Sequence, residues 1–463
     1  MNTQNILALF LLVIFTQNSI AQRSEKKFGQ NEIIEDLETL RISLEEAHYN
    51  LYAYVTEKSF NENFEKVKSS ITKDSLSLLE TTSLFQTVIS KANNGHTEIS
   101  FPIPSYFNYA DHGGTLFPLD VAFENGKALI RQNLSNNPNI EIGAEVISIN
   151  NLTINELLED IFPLISAERR YFKLAKLELF SFSRYYWQAW GEQKTIEVKI
   201  RTGEETETYQ LEPIAVDDFN SRRNELNFAN RTLSYLNNSA YLMPGNFGGD
   251  LEEFQRFIDS SFAEINKREL PNLIIDLRNN LGGDNSFSDY LVSYLADQPF
   301  HWYSDFSLKT SAILKSHVRE KYDINEPFWK SVMRNEDGKI YPYEFDEYQP
   351  QPKEKRYTGQ VYVLVNRQSH SMSAVVAAQF QDYQLATIVG EETGDFPSLY
   401  ASQYSYKLPN TAIEVKLSKG HIVRVNGSIK PEGVIPDIYI KDHLLDDNDE
   451  ILDGLLQLIE NKH

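Results

Sequence analysis

Three short segments, PNLIIDLR at 271–278, QVYVLVN at 360–366 and LATIVGEETG at 385–394, are almost continuously apolar rather than alternating. A strand buried on both faces reads this way, and such strands belong to parallel sheets covered by helices. Helical text separates them: DLEEFQRFIDSSFAEINKREL precedes the first, SFSDYLVSYLADQ follows it, and SAVVAAQFQDY lies between the second and third. The alternation predicts an α/β unit with a mostly parallel sheet over 235–440. A long aromatic and charged insertion at 299–358 interrupts it, longer than an ordinary connection and suited to a lid or docking surface.

A chain of 463 residues exceeds what one core usually serves, and the flanking text changes character. Residues 28–97 read as a helical cap. Ile34, Leu37, Leu40 and Leu44 line one side of a first helix, Ser59 is placed to N-cap a second, and a third runs from about Leu76 to Ala92. It ends in NNGH, where Asn94 and Gly95 suit a left-handed exit that delivers His96 just past the helix. Residues 113–208 read as a mostly β module, with hairpins at Glu124-Asn125-Gly126 and Thr202-Gly203. An acidic tail with a short helix occupies 441–463.

The formal charge of -22, from 66 acidic against 44 basic residues, opposes a phosphate backbone and argues against nucleic acid. With no cysteine, disulfides, thiolate chemistry and Cys-ligated metals are excluded. An apolar run from Ile6 to Phe15, followed by Ser19-Ile20-Ala21, reads as a leader removed after residue 21, with export to the periplasm or beyond. The run is short for a membrane span.

Two junctions carry candidate chemistry. Gly282 and Gly283, at the carboxyl end of the first apolar strand, can turn amides toward an anion, while Asp276 and Arg278 read as a structural pair beside them. In NRQSHSMSAVVAAQF, 366–380, Ser371 opens a helix where exposed amides favour developing negative charge, and the Met372 amide could join a glycine amide as a second oxyanion donor. Locally, Ser371 or Ser373 serves equally well as an N-cap. A nucleophile needs a base, and His96 is better held than His370, which suits a packing role.

The series LIIDLRNNLGG, VYVLVNRQSHSMSAVVAAQFQDY, LATIVGEETG, KLPNTAIEVKLSK and PEGVIPDI resembles the S41 family of serine peptidases, the C-terminal processing peptidases and the tricorn core protease among them. AHYNLYAYVTEKSFNENF and NNGHTEI extend the resemblance over roughly 35–440. It implies a ClpP/crotonase-like α/β core, a degenerate PDZ-like module at 113–208, and an endopeptidase acting on extended or unfolded polypeptide through an acyl-enzyme, with no metal or organic cofactor. Ser371 falls on the nucleophile motif. Where processing peptidases carry a lysine base after GExTxG, this chain has Asp395, so His96, in the family's histidine-using pattern, becomes the base. The acid is left between Glu432 in PEGVIPD and Glu392 in GEETG, and the oxyanion donors are Gly282, Gly283 and Met372. Ala374 stands where the family motif is acidic, which keeps a noncatalytic peptide- or ligand-binding protein on the same fold as the alternative. Oligomerisation is left open.

Overall fold

A computed structural model describes residues 26–226 and 230–461, so the leader expected over 1–21 lies outside the described residues. The central sheet has six strands in the order Thr232–Leu236, Ser239–Met243, Asn272–Asp276, Gln360–Val365, Thr387–Gly390 and Ile438–Tyr439. Its first pair is antiparallel and every other pairing is parallel. All three apolar segments thus form neighbouring strands, and Leu273, Ile274, Ile275, Val363 and Leu364 are fully buried.

Both faces are covered, which is why these strands carry no polar alternation. Helices Leu251–Lys267 and Met372–Asp382 supply part of the main core through Phe254, Ile258, Val376 and Phe380. The C-terminal helix Glu450–Glu460 seals the opposite face with Ile451, Leu455 and Ile459 against Ile274, Tyr362 and Leu364. Arg278 ties that helix down, meeting Asp449 at 2.5 Å and Asp276 at 2.7 Å, the structural pairing expected of the latter two-residue spacing.

A second, antiparallel sheet runs Ile340–Pro342, Asp305–Lys309, Glu414–Val423, Leu399–Lys407. Two of its strands come from the 299–358 insertion, which is therefore built into the core as well as lying over it. The N-terminal helices Gln30–Ala47, Glu57–Ser69 and Leu78–Ile89 pack into the same main core through Leu37, Leu40, Phe60 and Phe85. Two local expectations shift by a few residues. Thr56, not Ser59, caps the second helix, its hydroxyl accepting from the Ser59 amide at 3.2 Å. Asn93, at φ 49, makes the left-handed exit expected of Asn94 and Gly95.

The middle module is an antiparallel sheet of Leu119–Glu124, Lys127–Asn133, Glu145–Ile149, Ile196–Thr202 and Glu205–Leu211, with Leu152–Thr153 beside the third. It has its own core around Phe117, Ile130, Val146, Leu158 and Val198. Both hairpins fall where the sequence placed them. Among the described residues, no helix is long and apolar enough to cross a membrane.

Candidate active site

The loop after strand Gln360–Val365 is pinned against the loop after Asn272–Asp276, and this docking shapes the nucleophile turn. Ser369 Oγ donates to the Leu277 carbonyl at 2.7 Å and accepts from the Asn366 amide at 3.1 Å. Ser373, fully buried, reaches the same carbonyl at 3.3 Å. Of the three clustered serines, Ser371 alone has a hydroxyl that makes no hydrogen bond among the described residues. It starts helix Met372–Asp382 without capping it, at φ 54 and ψ -131, a conformation costly for any residue with a Cβ. Strain of this kind, at a strand-to-helix turn that presents a hydroxyl, is what a nucleophile elbow stores.

The glycine loop makes room for that turn. A Cβ on Gly282, whose φ is +80, would lie 2.5 Å from the Met372 amide nitrogen and 2.7 Å from Ser371 Cβ. One on Gly283 would lie 1.9 Å from the Phe247 carbonyl oxygen. The oxyanion expectation changes in one respect. The Gly282 amide is committed to Asn280 Oδ1 at 2.8 Å, so Gly282 contributes space. The Gly283 and Met372 amides make no hydrogen bond among the described residues and remain the two candidate donors.

His96 is carried by a short loop stitched to the antiparallel sheet. Asn94 Oδ1 accepts from the His96 amide at 3.1 Å and from Ser418 Oγ at 3.0 Å, and the His96 carbonyl accepts from Gln403 Nε2 at 2.7 Å. The imidazole side chain is 8% exposed and makes no hydrogen bond among the described residues; Nε2 faces Asp395 Oδ2 at 3.7 Å. That same oxygen accepts the Ser371 amide at 2.9 Å. One carboxylate oxygen thus lies between the serine's backbone and the histidine.

Neither carboxylate expected at the histidine is there. Glu432 is solvated, 3.7 Å from Lys430. Glu392 is clamped by Arg169 at 2.6 Å and by the Gly433 amide at 2.8 Å, closing a turn. The carboxylates beside His96 are Asp395 and Glu168, whose ligand atoms and one imidazole nitrogen all lie within 4.8 Å of one another. Asp395 follows GEETG directly, at the position noted for its missing lysine, so a signal existed. Glu168, in the charged stretch SAERRY, had none. Its Oε1 accepts the Gly95 amide at 2.7 Å and its Oε2 has no partner.

Electrostatics follow from burial. Desolvation holds His96 down to about 4, so its neutral, proton-accepting form prevails at neutral pH. Burial and the Asp395 charge push Glu168 up to about 7; burial pushes Asp395 up to about 6 against the opposing Ser371 amide bond. His370 packs on Phe172 with ring centroids 5.5 Å apart, and burial lowers it to about 3, in keeping with a packing role.

Comparison with known proteins finds a family pattern and a shared fold. Residues 239–440 match the family model for peptidase family S41. Mature CPAF shares the fold at 16% identity and TM-score 0.64, over 93% of this chain and 98% of its own. The structure of mature CPAF complexed with lactacystin gives 16% identity and TM-score 0.63, over 93% and 97%. No curated protein sequence matches the chain. The match places residues 239–440, and with them Ser371 and Asp395, within the sequence pattern of peptidase family S41.

Proposed function

We propose that this chain is an exported endopeptidase that cleaves extended or unfolded polypeptide through a Ser371 acyl-enzyme. The observation that carries the reading is that Ser371, strained and with an uncommitted hydroxyl, shares Asp395 Oδ2 with His96 through its amide. Ser371 attacks the scissile carbonyl while His96 takes its proton and returns it to the leaving amine. The amides of Met372 and Gly283 hold the oxyanion, aided by the positive end of helix Met372–Asp382. Asp395, with Glu168 behind it, replaces Glu432 and Glu392 as the carboxylate that stabilises the transient imidazolium. Water then hydrolyses the acyl-enzyme.

The separate antiparallel module suits a PDZ-like role, with a peptide adding as a strand at its edge. Turnover of an unfolded, fluorescence-quenched polypeptide tests the proposal. Wild type is expected to cleave it, with S371A and H96A each losing at least ~10³-fold in kcat. Tight binding of the polypeptide without turnover by the folded wild type would instead favour a noncatalytic binding protein.

A further inference from the structure

The His96 cluster sets two carboxylates side by side with no cation among the described residues in salt-bridge reach of either. Most other buried carboxylates have a cationic partner: Glu178 and Glu391 meet Arg367, Asp276 meets Arg278, Asp120 meets Arg223, while Asp36 and Asp289 accept hydrogen bonds instead, from Asn410 and Thr411 and from Asn285 and Gln379. Among the described residues, no lysine or arginine lies within salt-bridge distance of Glu168 or Asp395. Lys176, whose charge acts on both carboxylates, spends its ammonium on the Ser166 carbonyl at 2.7 Å and the Gly95 carbonyl at 3.4 Å, with Glu98 at 3.8 Å. Arg169 is turned to Glu392.

A second feature is independent of charge. The His96 ring is buried and has no hydrogen-bond partner at either nitrogen, with Nε2 aimed at Asp395 Oδ2 and Nδ1 orphaned. Glu168 Oε2 is orphaned as well. Buried polar atoms left unpaired cost free energy, and here His96, Glu168 and Asp395 each bring one ligand atom within 4.8 Å of the others.

We propose that His96, Glu168 and Asp395 form a zinc site, and that the metal switches this centre off by occupying the imidazole. A tetrahedral Zn²⁺ with N and O ligands at about 2.0–2.2 Å spaces those ligands about 3.3–3.6 Å apart. The His96 Nε2 to Asp395 Oδ2 separation of 3.7 Å is already close to that edge. With all three ligand atoms within 4.8 Å of one another, rotamer adjustments close the rest. One neutral nitrogen and two carboxylates neutralise the dication, and a water or hydroxide completes the fourth position. Metal on the imidazole removes the lone pair that Ser371 needs, so inhibition rests on the peptidase reading given above, whereas binding does not.

The test uses the whole chain, stripped with a chelator that is then removed. Zinc is titrated against a chromophoric competitor, and serine labelling by a fluorophosphonate is followed in the same samples. The expected result is one zinc per chain in wild type and in S371A, a raised melting temperature, and labelling of wild type suppressed by zinc and restored by chelator. H96N, E168Q and D395N, checked as folded by circular dichroism, are each expected to weaken zinc affinity at least tenfold. Absence of stoichiometric binding by folded wild type overturns the site. So does affinity unchanged in all three variants, which would assign the metal to surface groups such as Asp442, His443 and Glu450. Zinc binding with the expected variant pattern, but no labelling of the metal-free protein under any condition, upholds the site and removes the peptidase reading.

Discussion

At the scale of single residues, the turn at Ser371 and the space left for it decide whether there is a site at all. Gly282 combines φ +80 with contact against the Met372 amide, so G282A has both strain and a clash to absorb. It is expected to lower unfolding free energy by roughly 1–3 kcal/mol and to slow fluorophosphonate labelling at least tenfold, read by denaturant melts and labelling kinetics. The paired carboxylates predict a pH signature, measured with chelator present. As pH falls, Glu168 near 7 and Asp395 near 6 take up protons before His96 near 4. Negative charge beside the imidazole is therefore lost first, and kcat/KM is expected to fall between pH 7 and 6; E168Q should flatten the upper part of that limb. The same raised value fixes a stability trend. Between the ordinary glutamate value of 4.5 and about 7, the folded protein holds a proton that the unfolded chain has released. Stability is lost as pH rises through that window. E168Q is expected to melt above wild type at pH 8 and level with it at pH 4.

At the scale of elements, Arg367 joins the nucleophile loop to the middle module. Its guanidinium, 5% exposed, meets Glu178 of helix Arg170–Phe180 at 2.7 Å, Glu124 of strand Leu119–Glu124 at 2.7 Å and Glu391 at 3.0 Å. It also donates to the Asp442 carbonyl at 3.1 Å, and Lys441 adds a second cation to Glu124. Even so, burial pushes the Glu391 carboxyl up to about 7. Removing the arginine strands three buried carboxylates, so R367M is expected to cost roughly 3–5 kcal/mol in urea unfolding. Loss of less than ~1 kcal/mol would show that water or rearrangement satisfies the cluster. Elements of this chain were legible because their period reports burial directly: the apolar strands, the hairpin turns and the serine-led helix all stand where the sequence puts them. Partners across elements were not. Arg367 reads as one polar residue in a loop, and nothing nearby announces Glu124 or Glu178.

For the molecule as a whole, the site lies where two sheets and the middle module meet. Ser371 comes from the parallel sheet, Asp395 from the crossing into the antiparallel one, His96 from a loop stitched to that second sheet, and Glu168 from the edge of the module. The nucleophile and base follow from motifs that sit at element ends. The acid depends on how far apart two layers come to rest, which explains why Glu432 and Glu392 looked suitable in sequence yet serve a solvated turn and an arginine clamp. The central claim is that Ser371 is the nucleophile and His96 its base. Mass-spectrometric mapping of the fluorophosphonate adduct, with metal-free protein, tests it most directly. A single adduct on Ser371, formed at a rate that collapses in H96N, is the predicted result. An adduct on Ser369 or Ser373, or labelling of Ser371 that proceeds equally fast without His96, would contradict it.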